Sequence, residues 1–218
     1  TQKKVTAGSD LTLTATNSLK AADKLTAANI TLTAVNNLTT EAELLADQKL
    51  TLTGGDVTTY KKVTAGNDMT LTGTNSLKTA DELSAANITL TGGDVTTQKK
   101  VNAGSNLTMT AANSLKAADK LTADGNITAS SANGNIDITA AEAKGGIDLK
   151  AANGKLTAAV LQAQGSIAAA GKDVEFGIEP DIKVEGELKR TDEKDLFIDA
   201  SAHLLTVWIK AIKKHLKK

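Results

Sequence analysis

His203 and His215 are the only histidines in 218 residues, and there is no cysteine. The two stand twelve residues apart, more than three turns if the segment is helical, so they cannot share one metal from one turn. Without a thiol there is no thiolate ligand or nucleophile, and no disulfide. Asp10, Asp23, Asp47, Asp56, Asp68, Asp81, Asp94 and Asp119 recur with an internal repeat. Carboxylates that return in this way read as turn chemistry rather than as a catalytic pair. Gly-Gly-Asp-Val occurs at 54–57 and 92–95, but the longer nonapeptide calcium signature is absent. No glycine-rich phosphate loop ends in Lys-Ser or Lys-Thr, and no surface interleaves basic with aromatic residues. The expectation is a non-enzymatic chain with no cofactor, no metal and no nucleic-acid partner.

What recurs is threonine. The unit LTLT or a close variant returns with its first apolar residue at Leu11, Ile30, Leu50, Met69, Ile88, Leu107 and Ile127, in steps of 19 or 20 residues. Strict alternation of β-branched and apolar residues marks a half-buried strand, so Leu11 and Leu13 turn inward and Thr12 and Thr14 outward. The same register places Thr31, Thr33, Thr51, Thr53, Thr70, Thr72, Thr89, Thr91, Thr108 and Thr110 in two outward columns. This is the candidate binding face. Thr-x-Thr pairs on a flat sheet can order water against ice, so ice binding is a rival reading to a purely structural one. ITAS, IDIT and IDLK are expected to break the columns beyond Ile127.

Elements of one kind must hold those columns. Three near-copies of one phrase, at 7–27, 65–85 and 103–123, and a period this short define a solenoid, in which each coil is buried only by its neighbours. Within a repeat the anchors run Leu11, Leu19, Leu25, then Ile30, Leu38, Leu44, then Leu50, Val57, Val63. The pattern continues through Met69, Leu77, Leu83, through Ile88, Val95, Val101 and through Leu107, Leu115, Leu121. Three anchors per coil separated by polar corners predict a three-sided, all-β parallel β-helix. Asn17, Asn36, Asp56, Asn75, Asp94 and Asn113 form one corner column, and Gly, Asn or Asp at corners suits positive φ. Past Ile127 the coils are richer in Ala and Gly, which predicts a thinner core. Nine or so coils give a rod of about 40–45 Å.

Composition fits a long thin core: 40% hydrophobic but only 2% aromatic. No apolar run is long enough for a membrane span and no leading signal segment is visible. The opening TQKK matches 97–100, so the first residue falls in mid-repeat and the chain reads as a piece of a longer array. Pro180, the only proline, marks the expected end of the repeats, which divides the chain into 1–178 and a cap over 179–218. A strand hairpin is expected over 182–198 and an amphipathic helix over 201–218, with Leu205, Trp208, Ile209, Ile212 and Leu216 on one face. Residues 201–218 carry five lysines and no acid, so the rest of this neutral chain has five more acids than bases. The helix reads as a cap on the open end of the solenoid; a membrane-surface helix and a partner-docking helix are the alternatives.

The phrases AGSDLTLT, ANITLT and AGSNLTMT in coils of 19–20 residues resemble the haemagglutinin repeats of filamentous haemagglutinin-like exoproteins, a family that includes adhesins and the stalks of contact-dependent growth-inhibition effectors. The resemblance covers residues 1–178. It implies a right-handed β-helix and secretion through an outer-membrane two-partner transporter of a Gram-negative bacterium. It further implies a secreted or cell-surface role in adhesion or toxin display toward a host or neighbouring-cell receptor or glycan. The family's amino-terminal secretion domain and its toxin domains have no counterpart in these residues. End-to-end self-association into an extracellular filament is a further reading of the same repeats.

Overall fold

The computed structural model describes residues 3–192 and 198–201, and every regular element among them is a strand. The strands wind into a parallel β-solenoid of about nine turns. On the first face, strand Asp10–Ala15 pairs with Asn29–Ala34 so that Leu11 meets Ile30. The column continues through Leu50, Met69, Ile88, Leu107, Ile127, Ile147 and Ile167 to Leu188. The second face stacks Leu19, Leu38, Val57, Leu77, Val95, Leu115, Ile136, Leu156 and Val174. The third begins at Val5 and Leu25 and runs through Leu44, Val63, Leu83, Val101, Leu121 and Leu161 to Ile182. Every anchor that the spacing identified lies in its column, and from Leu25 onward all of them are buried.

Each coil fills its triangle by the same rule. The first face contributes two large side chains, such as Leu50 and Leu52, while the vertices take small ones. Ala27, Ala46, Ala65, Ala85, Ala103 and Ala123 make one all-alanine stack, because close packing leaves no room for a branched residue at a narrow corner. The alanine-rich coil past Ile127 compensates rather than simply thinning. Ala129 and Ala141 replace larger residues, but Ile138 occupies the second-face position that every earlier coil gives to threonine or alanine.

The uneven spacing between first and second anchors is absorbed at one corner. Leu50 to Val57 is seven residues and Met69 to Leu77 is eight, yet both pairs stay aligned because the register shifts between Gly73 and Ser76. This divides the expected Asn/Asp corner column. Asp56 pairs with Asn37 and Ser76, and Asp94 with Ser76 and Ser114, so the aspartates stack on the residue after each asparagine.

Glycine at the corners has a different cause from the one expected. No described glycine has a φ in the left-handed range. At Gly66 a Cβ would run into the Asp47 carbonyl, and at Gly73 into the Ser76 carbonyl. Close approach of backbone, not positive φ, selects glycine there.

The carboxy-terminal boundary also differs. Ile182–Val184 pairs in parallel with Leu161–Ala163 as one more third-face rung, and Leu188 stacks on Ile167. The winding therefore passes beyond 178. The antiparallel pair lies later than 182–198, between Glu187–Asp192 and Ile198–Ser201. Ser201 ends that strand instead of opening a helix. The helix expected over 201–218, with Leu205, Trp208, Ile209, Ile212, Leu216 and both histidines, falls from 202 onward outside the described residues.

Candidate binding face

Two threonine columns stand on the first face as the alternation requires. Thr12, Thr31, Thr51, Thr70, Thr89 and Thr108 pair successively, and so do Thr14, Thr33, Thr53, Thr72, Thr91 and Thr110. The backbone ladder sets a step of about 4.8 Å between coils and about 6.7 Å between the columns. Each threonine has few χ1 choices, so hydroxyl and methyl are pre-positioned. Most of these side chains are half-buried against their neighbours, and Thr12, Thr14 and Thr110 are exposed.

The columns run one coil further than expected. In ITAS, Thr128 and Ser130 are in register with Thr108 and Thr110 and keep the hydroxyl pattern. IDIT lies on the second face, where Ile136 stacks on Leu115, so it leaves the array untouched. Asp148 and Lys150 of IDLK do end it. Between Thr12 and Ser130 the two columns hold no charged residue. The second face contrasts: Lys20, Lys78, Lys116, Asp137 and Glu175 point outward.

The array is edged by a polar ladder that the anchor spacing did not expose. It occupies the position just before each first-face anchor. Asn29 Nδ2 donates to Asp10 Oδ1 at 2.8 Å, and the Lys49 amide donates to Asn29 Oδ1 at 3.1 Å. Asn87 Nδ2 donates to Asp68 Oδ1 at 3.1 Å, and the ladder passes through Asn106 and Asn126 to the Gly146 amide at 2.7 Å. The signal was present as Asp or Asn immediately ahead of most LTLT-type units, Lys49 being the exception. On the corner between second and third faces, charge alternates by coil from Lys24 to Lys100: Lys24 meets Glu43 at 2.9 Å and Lys62 meets Glu82 at 3.5 Å. The Lys24 hydrogen bond, then its charge, holds the Glu43 carboxyl below its usual value.

A groove of about 460 Å³ follows the third face over the last coils, past Glu142, Lys144, Gln162 and Lys183. Several of its charges are engaged: Lys144 pairs with Asp124 at 2.8 Å, and Glu142 with Lys120. Among the described residues no three His, Asp or Glu side chains are grouped to hold a metal ion, and no helix is long and apolar enough to cross a membrane.

Fold and face together define a parallel β-solenoid repeat protein whose first face carries threonine columns free of charged residues from Thr12 to Ser130. Comparison with protein-family models, with curated proteins and with solved structures returns no match.

Proposed function

We propose that this chain is a rigid spacer from a secreted, cell-surface exoprotein of the filamentous haemagglutinin type, holding a receptor-binding, glycan-binding or toxin region away from a Gram-negative cell. The observation that carries this reading is the unbroken register of three anchor columns from Val5 to Ile182. A solenoid is stiff because every coil is bonded to the next along its whole contour, and its length scales with repeat number. The repeat phrases support the family assignment. The ion pairs that link successive coils, such as Lys24 with Glu43 and Lys144 with Asp124, suit a strut better than a reaction site. Export would use an outer-membrane two-partner transporter. The test is co-expression of the full-length gene with its neighbouring transporter gene, followed by surface labelling and electron microscopy. Thin rods lengthening with added repeats are expected; retention inside the cell despite a working transporter would refute the reading.

The uncharged lattice of the first face favours a second reading, binding to ice. Threonine offers water a hydroxyl to bond and a methyl to order it; six coils repeat the threonine pair in register, and Thr128 with Ser130 adds a seventh pair of hydroxyls. A crystalline polysaccharide would be met by rows of aromatic rings, whereas Tyr60, an exposed aromatic, lies on a corner away from the columns. Thermal hysteresis that Thr70→Lys and Thr89→Lys abolish would support ice binding. Absence of hysteresis at millimolar protein would remove it.

A further inference from the structure

Two Asn-Gly pairs, Asn133-Gly134 and Asn153-Gly154, occupy equivalent corners one coil apart, yet their surroundings differ. At Asn153, which is also exposed, the chain rounds the corner through a register shift between Ala151 and Lys155 within strand Ile147–Ala163, and Nδ2 donates to the Ala132 carbonyl at 2.8 Å. At Asn133 the chain bends outside any strand, and the side chain is exposed. No side-chain hydrogen bond holds Asn133 among the described residues; only its backbone amide is engaged, to the Ala112 carbonyl at 2.9 Å. The Gly134 amide has just a long contact, 3.3 Å, to Ser131 Oγ. Asp124-Gly125 is a third pair of this type, but Asp124 is ion-paired with Lys144 and the Gly125 amide bonds the Ser105 carbonyl at 2.6 Å.

We propose that Asn133 is a spontaneous modification site, converting to aspartate and isoaspartate through a cyclic imide, while Asn153 is protected. The Gly134 nitrogen loses its proton and attacks Asn133 Cγ. A C–N bond forms, the Cγ–Nδ2 bond breaks, and Nδ2 leaves as ammonia with the proton. Water then opens the imide at either carbonyl, restoring an aspartyl linkage or placing one extra methylene in the main chain. Glycine after asparagine has no Cβ to shield the attacking nitrogen, and a bend leaves the side chain free to swing toward it. At Asn153 the side-chain hydrogen bond must first be broken.

The product would be felt by the rod. A Cβ on Gly134 would already strike the Asn113 carbonyl, and one on Gly154 the Gly134 carbonyl. A lengthened main chain at 133–134 cannot keep that stack, so conversion marks the age of the protein and loosens the coil that holds Ala129 and Ala141.

The full chain is incubated at mildly alkaline pH, where loss of the amide proton is favoured, and sampled by peptide mapping and by isoaspartyl methyltransferase labelling. Residue 133 should convert about fivefold or more faster than residue 153, and aged rods should melt at lower temperature than fresh ones. Asn133→Gln, whose longer side chain disfavours the ring, should lose the label at residue 133, leaving only the slower one at residue 153, with an unchanged circular dichroism spectrum. Equal rates at 133 and 153, an unmodified Asn133 when the denatured chain converts readily, or a total label undiminished in Asn133→Gln would overturn the proposal.

Discussion

Thr59 and Thr79 stack in register on the second face, both fully buried, and neither hydroxyl has a hydrogen-bond partner. Thr40 and Thr97 extend the column above and below in the same condition. A buried hydroxyl without a partner costs about 1–3 kcal/mol. Thr59→Val keeps the shape and removes the cost. Chemical denaturation should show it more stable than wild type by about 1 kcal/mol, and Thr59→Val/Thr79→Val more stable again. A loss of stability would mean that the hydroxyls are satisfied in solution.

Glycines held by close approach should respond according to what lies opposite. Gly66→Ala drives a methyl at the Asp47 carbonyl and should destabilise by about 1–3 kcal/mol. Gly8 has open space around it, so Gly8→Ala should sit within about 0.5 kcal/mol of wild type. Equal effects at the two positions in a thermal melt would contradict the packing account.

Core truncation should depend on depth along the rod. Leu71→Ala empties a fully buried position between two neighbouring coils and should cost about 2–5 kcal/mol. Leu13 stacks on Leu32 from one side and is only half-buried, so Leu13→Ala should cost clearly less. Urea midpoints of the two variants compare them directly.

The cross-coil ion pairs set a modest pH dependence. Lys24 holds the Glu43 carboxyl below its usual range through a hydrogen bond and then through charge, and Lys155 does the same to Glu175. A depressed carboxylate adds stability above its unfolded pKa, about 4.3, and that stability is lost as pH falls through the folded value. Lys155 is raised in turn, chiefly by its hydrogen bond to Glu175. Its share is complete below about 10.4 and disappears as pH rises through the folded value. Glu43→Gln should flatten the acid side of a melting-temperature profile slightly, and added salt should shrink the difference, because both pairs face solvent.

Much of this fold was legible because a solenoid has nearly one-dimensional physics. Each coil touches only its neighbours, so the period of Leu11, Ile30 and Leu50 states the contacts outright. Strand alternation then assigns the threonine columns, since side chains on a strand have only two faces to choose between. Corners were less legible. A seven-residue and an eight-residue step look like noise in the sequence, and only the shift between Gly73 and Ser76 shows which residue is looped out. Asn17, Asn36 and Asp56 seemed equivalent because counting from an anchor ignores that shift.

By itself the order of residues determined the number of faces, the inward anchors and the uncharged outward lattice, because local alternation and a fixed period are enough to specify them. Tertiary structure decided what depends on the distance between coils. It set the pairing of Asp56 with Ser76, the backbone contact that requires glycine at 66, and the continuation of winding through Ile182 and Leu188. Those features belong to residues about twenty apart, which meet only after the chain has completed a turn.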